Sequence, residues 1–258
     1  MQWITLFQKE MLENWRNKKW IWFPLVIILM AIMDPISNYY LPQIIEATGG
    51  LPEGTNIELP DYTPSEVIMM SLGQISSLGV LVIVLISMGT IAGERKSGVS
   101  ELILVKPVAY RNYITAKWAA LIVLVWGALF IGLLASWYYV TILYGSLAFG
   151  SLLLVVLFYG LWLTLVVTVS IFYNTLFKSV GVVGFLSVLT IMLMSLVTKI
   201  FGRFLNWSPI HLSDHIFDML MMEQISTELI ATAIITLAIT IILLTGSIFI
   251  FKSKEMAN

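Results

Sequence analysis

The chain has 258 residues, 59% hydrophobic and 11% charged, with 14 Lys and Arg, 15 Asp and Glu, and no cysteine. Soluble chains average about 45–50% apolar and about 25% charged, and a soluble fold of this size cannot hide so much apolar surface, so the composition is that of an integral membrane protein. The even charge balance excludes a basic nucleic-acid binder, and the lack of cysteine excludes disulfides, iron–sulfur clusters and thiolate chemistry.

Residues 2–19 predict an amphipathic helix. Ile4, Phe7, Met11 and Trp15 recur at helical spacing, with Gln2, Lys9, Glu13 and Arg16 off the stripe. Such a helix lies in the membrane interface, its basic residues near anionic headgroups.

Apolar stretches long enough to cross a hydrocarbon core follow at about 20–40, 67–93, 118–141, 151–173, 179–198 and 229–251. The run from Trp118 to Phe177 holds 60 residues without Asp, Glu, Lys or Arg, too long for one helix, and Tyr144-Gly145-Ser146 and Gly150-Ser151 supply a turn within it. Continuous apolar runs exclude a barrel, which alternates with period two, so the spans are helices. The first span carries Asp34 and Pro35 and reads as a retained anchor rather than a cleaved signal. An acid in lipid is costly and commonly faces a cavity or partner. Asp34, with Gln74 and Ser77 in the second span, is therefore a candidate for a substrate path or gate. Against that stand a place for Asp34 near the interface, where Tyr39 and Tyr40 form a belt, and bonding of the hydroxyls and amide to their own or a neighbouring helix.

In a six-span arrangement twelve Lys and Arg fall on one side, and only Lys199 and Arg203 on the other. That asymmetry places both termini in the cytoplasm. The outer segment at about 200–227 predicts two short helices on or in the membrane surface. His211 and His215 share a helix face there, beside Asp214 and Asp218. The expectation is a solvated polar face, with no metal assigned.

The loop between the second and third spans is the informative one. It reads Gly93-Glu94-Arg95-Lys96-Ser97-Gly98-Val99-Ser100-Glu101-Leu102-Ile103-Leu104-Val105-Lys106-Pro107 and continues to Arg111 and Lys117. Ser97 or Gly98 can start a short helix, Val99, Leu102 and Ile103 then share a face, Glu101 suits the first turn, and Pro107 stops it. A short helix parallel to the membrane can dock in a groove of a cytoplasmic partner.

This stretch resembles the signature loop of ABC transporter permeases of the type-2 exporter superfamily. The matching positions are Glu94, Gly98, Glu101-Leu102-Ile103, Pro107, Arg111 and Lys117. Val99 departs from the Thr common in the family, which removes a hydroxyl cap but not the helix. The resemblance implies a coupling helix in 98–107 that presses into a separate ATP-binding subunit, with Glu94 and Arg95 at the membrane end of the lever. The coupling set is then Glu94, Arg95, Gly98, Val99, Glu101, Leu102, Ile103, Pro107 and Arg111. It also implies a second permease copy or a related permease, and ATP and magnesium on the partner subunit rather than cofactors in this chain. No Gly is followed by Lys, so the chain lacks the phosphate cradle of P-loop ATPases.

The expected fold is one all-α integral membrane permease domain over 1–258. It has six transmembrane helices with both termini inside, an amphipathic interfacial helix at 1–19, a short coupling helix between spans two and three, and short outer helices before span six. The expected function is that of the transmembrane, non-enzymatic subunit of an ATP-driven exporter in a bacterial cytoplasmic membrane. The implied cargo is an amphiphilic drug, antimicrobial peptide or lipid-like molecule. The alternative is a non-transporting membrane scaffold or sensor. The lipid bilayer is a partner in either case, and nucleic acid in neither.

Overall fold

The computed structural model describes residues 2–47, 61–99, 109–202 and 204–255, all of them in helices, turns and connections with no strand. Six helices are long and apolar enough to cross a membrane. Among the described residues the α-helices are α1 (Gln2–Arg16), α2 (Lys19–Ala47), α3 (Pro64–Gln74), α4 (Val80–Ser87), α5 (Ala92–Lys96), α6 (Tyr110–Leu143), α7 (Phe149–Leu176), α8 (Val180–Ile200), α9 (Leu212–Met222) and α10 (Thr227–Glu255). The second span is composite: α3, a π-helical turn over Ile75–Gly79, α4, a break over 88–91, then α5.

α1 meets α2 through Lys18, whose φ of 55° is left-handed and turns the chain sharply. The apolar stripe of α1 faces outward: Ile4 and Trp15 are more than half exposed, while Glu10 and Asn14 are buried. A helix with its apolar side toward lipid and part of its polar side against the protein fits an interfacial position better than a soluble docking helix.

Three prolines lie inside α2. Pro35 has no N–H to give the carbonyl four residues back. The Ser71 hydroxyl donates to that Ala31 carbonyl at 2.7 Å and also meets the Ser136 hydroxyl at 2.8 Å, so a buried hydroxyl from the second span repairs the first and touches the third. α2 runs closely along α6. A Cβ on Gly132 would lie 2.7 Å from the Ile27 side chain and 3.3 Å from its carbonyl, so glycine sets the closeness of these spans.

α3 starts in a capping box: the Thr63 N–H donates to the Glu66 carboxylate at 2.7 Å, and the Glu66 N–H returns to the Thr63 hydroxyl. α7 is the central span, packed by α4, α6, α8 and α10. Its buried polar groups are satisfied across helices: Trp118 and Trp126 donate their indole N–H groups to Thr168 and Thr164 at 2.8 and 2.9 Å. α8 and α10 keep broad apolar faces outward, as lipid-facing helices do.

After α8 the chain does not form the first of the two short helices expected at about 200–227. It makes turns to Ser208, then a single 3-10 turn, Pro209–His211, leading into α9. Gly202 and Pro209 lie in this stretch, and both disfavour a continuous helix.

Candidate functional site

The second span breaks near one end of the bundle, and the break organises a buried ionic junction. At Met88–Ile91 the helical ladder is interrupted. Asn174, deep in α7, repairs it. Its side-chain carbonyl accepts from the N–H groups of Ile91 and Ala92 at 3.1 and 2.9 Å, and its amide donates to the carbonyls of Ser87 and Ser170. The sequence places Asn174 at a turn between spans; the structure places it inside α7, fully buried, as a cap on another helix.

The short helix α5 so created presents Glu94 and Arg95, and consecutive helical residues diverge by about 100° around the axis. Glu94 turns toward α1 and α6. One of its oxygens lies 2.7 Å from Lys9 Nζ and 2.8 Å from Lys117 Nζ, and the other accepts from the Tyr113 hydroxyl at 2.6 Å. Lys117 also pairs with Glu10 at 2.8 Å, and Lys9 with Glu10 and Glu13 at 3.0 and 3.2 Å. Arg95 turns the other way. It is buried, donates to the Thr175 carbonyl of α7 at 3.2 Å and lies 5.5 Å over the Phe251 ring of α10. Phe251 in turn stacks on Tyr113 at 5.6 Å. Two residues of the short helix α5 thereby fasten α1, α6, α7 and α10 together.

The energetics follow from burial. Lys117 is 2% exposed, though it opens a membrane span. A lone ammonium there would be expensive, and Glu10 and Glu94 are what make it tenable. Three carboxylates, Glu10, Glu13 and Glu94, come within 4.8 Å of one another, a spacing that also suits a cation site. Here the cations drawing them together are the ammonium groups of Lys9 and Lys117. Burial alone would lower the pKa of Lys9, but its hydrogen bond to Glu94 and the charge of Glu10 outweigh it and hold the group above its ordinary value.

Of the expected coupling residues, Glu94 and Arg95 sit in this junction. Gly98, with φ of 77°, follows Ser97 in the left-handed region and ends α5, and the next residue, Val99, is helical again. Val99 and Arg111 are exposed. Glu101, Leu102, Ile103 and Pro107 lie outside the described residues.

The structure brings Asp34 and Gln74 together: the Gln74 amide donates to the Asp34 carboxylate at 3.3 Å. Both sit beside the π-helical turn, a distortion that is frequent at functional sites. Ser77 does not join them. It is exposed, and its hydroxyl bonds back to the Gly73 and Gln74 carbonyls of its own helix. At the same half of the molecule, His211 Nδ1 meets Asp214 at 2.7 Å and His215 Nε2 meets the Asn206 carbonyl at 3.1 Å. The two rings, 6.2 Å apart, each have a protein partner of their own.

Sequence reasoning did not select Lys9, Glu10, Tyr113, Lys117 or Asn174 as site residues. The signals for two of them were present: a Lys opening an apolar span and a lone Asn in a charge-free run.

Comparison with known proteins agrees with this architecture. The family model for ABC-2 family transporter protein matches residues 4–256. The uncharacterized transmembrane protein YxlG of Bacillus subtilis (strain 168) is 32% identical over 206 residues, 80% of this chain and 80% of that protein. With six apolar helices and a family match spanning nearly its whole length, the chain belongs to the ABC-2 transporter family and is a multi-pass membrane component of it.

Proposed function

We propose that the chain is the permease subunit of an ATP-driven exporter, working as a pair of permeases with a separate ATP-binding subunit docked on residues 98–107. The observation that carries this reading is the ionic junction at the root of that loop. A force applied to the loop reaches α5, and Glu94 and Arg95 pass it to α1, α6, α7 and α10 as one unit. Buried, mutually satisfied charges transmit displacement without yielding, because each broken contact strands a charge.

The excess of Lys and Arg at this end supports a cytoplasmic position for it and for both termini. Asp34 and Gln74, far along the same spans, are the groups best placed to respond, as a gate or a polar step on the path of an amphiphilic cargo. Motion of the second span relative to the first separates or joins them.

Purification of the tagged protein in mild detergent tests this, with mass spectrometry and an ATPase assay of what co-elutes. The expected result is a stoichiometric ATP-binding subunit that is lost when residues 98–107 are replaced by a Gly-Ser linker. Elution alone under several gentle conditions, with the fold intact, would overturn the coupling assignment.

A further inference from the structure

A cavity of about 690 Å³ lies at the charged end, between α1, the first turns of α2, the break in the second span and the start of α8. Its wall is divided. One side is apolar, formed by Trp22, Leu85, Met88, Leu121 and Val180. Trp22 and Leu85 also reach the outer surface, at 39% and 59% exposure, so the cavity borders the face that lipid covers. The other side is polar. There the junction residues are joined by four groups with unused hydrogen-bonding capacity: Lys19, Asn14, Asn17 and Thr90.

These four differ from the junction itself. Lys9 and Lys117 each contact at least two carboxylates. Lys19 has no carboxylate oxygen within 4 Å among the described residues, and its ammonium makes a single 3.3 Å bond to the Ile86 carbonyl. The Thr90 hydroxyl is sealed from solvent without a hydrogen-bond partner among the described residues. A partly desolvated ammonium, an orphaned hydroxyl and two amides beside an apolar wall ask for an anion with several acceptor oxygens and an apolar body. Lys19 opens the first span, the depth at which headgroup phosphates sit.

We propose that this cavity binds a phospholipid of the surrounding bilayer, with the phosphate on Lys19 and Asn17, the Thr90 hydroxyl turning about χ1 to join them, and the first methylenes against Trp22, Leu85 and Val180. The charge balance narrows the class. The cavity is lined by Lys9, Lys19 and Lys117 and by Glu10, Glu13 and Glu94, which cancel. A zwitterionic phosphoethanolamine headgroup therefore enters without net repulsion. Its amine meets Glu13, a half-exposed carboxylate paired to Lys9 alone among the described residues. Such a lipid would wedge α1 against the second span next to the break. The inference does not depend on the transport reading, since it concerns the subunit and its bilayer.

The test is lipid retention by the full chain, read by native mass spectrometry after release from nanodiscs, without nucleotide or partner. The discs contain either phosphatidylethanolamine or a phosphate-free diglucosyl diacylglycerol. Wild type is expected to retain phosphatidylethanolamine and not the glycolipid. Retention should fall about tenfold in Lys19→Gln, the scale of one charge-assisted bond, and less in Thr90→Val. Lys18→Gln, an exposed neighbour outside the cavity, should match wild type. Equal retention in Lys19→Gln, equal retention of the glycolipid, or displacement of the lipid by millimolar inorganic phosphate would each overturn the proposal. Should Lys19→Gln fail to insert, Thr90→Val decides alone, and retention equal to wild type there overturns it.

Discussion

The two halves of the molecule handle buried polarity in opposite ways. At the end that carries α1 and α5, Glu94, Glu10, Lys9, Lys117 and Tyr113 close on one another at 2.6–3.0 Å, and Asn174 uses both ends of its amide. Toward the other end, Asp34 and Gln74 share one 3.3 Å bond beside a π-helical turn, and Ser77 bonds only to its own helix. The first arrangement is over-determined: removing a member strands several others. The second is under-determined, and its members can exchange partners at little cost. On the transport proposal, a stiff junction and a loosely held polar pair are suited to different tasks, force transfer and response.

The largest expected effect breaks the stiff half. Lys117→Met leaves Glu10 and Glu94 facing each other with half their positive charge gone, and should cost about 3–5 kcal/mol, the range for breaking a buried ion pair. Thermal unfolding in detergent reads this as a large drop in midpoint. Adding Glu94→Gln to Lys117→Met removes one of the stranded charges and should recover part of the loss. If the double variant is as unstable as the sum of both single variants, the groups do not act as a unit.

Why this half was hard to see in the sequence is physical. Spans are legible because lipid forces long apolar helices, and six helices are long and apolar enough to cross it. Glu94 and Arg95 are legible through their place in the loop. Lys9 and Glu10 are not, because the periodicity of α1 shows which face is apolar without showing what covers its polar side. Here the polar side meets protein, so Glu10 is buried while Ile4 and Trp15 are exposed. The break at Met88–Ile91 holds Gly89 and Thr90, both poor helix formers, but glycine is common inside membrane spans and marks no break by itself. The partner on α7 completes the explanation. The π-helical turn at Ile75–Gly79 is equally silent in sequence.

An intermediate effect separates the cap from the ion pairs. Asn174→Ala removes the acceptor for two buried N–H groups, those of Ile91 and Ala92, and should cost about 1–3 kcal/mol. Amide hydrogen exchange of Ala92–Lys96 should rise while that of α3 stays the same, because the cap's partners in the second span are Ser87, Ile91 and Ala92 and none lies in α3. On the loose side, Asp34→Asn keeps the hydrogen bond to Gln74 available and should change stability by less than about 0.5 kcal/mol, while altering transport if the pair gates. An unfolding midpoint shifted as far as that of Lys117→Met would erase the contrast between the halves.

The smallest expected effect concerns pH. Lys9 is held above its ordinary value of 10.5 by Glu94 and Glu10. A cation whose folded pKa is raised contributes stability that is fully present below its unfolded value and is lost only as pH rises through the folded one. Its share should therefore be constant from about pH 6 to pH 9. Lys9 is 39% exposed at its side chain, so solvent screening keeps that share near the about 0.2–1 kcal/mol of an exposed pair. The measurement is the difference in unfolding midpoint between wild type and Lys9→Gln at several pH values in that window. A flat, small difference fits a junction whose charges are fixed in the working range, with Lys9 as its outer clasp and Lys117 as its centre. A difference that collapses before pH 9 would mean that Lys9 loses its proton early, and then the clasp is a pH-sensitive contact and the stiff half is less rigid than its distances imply.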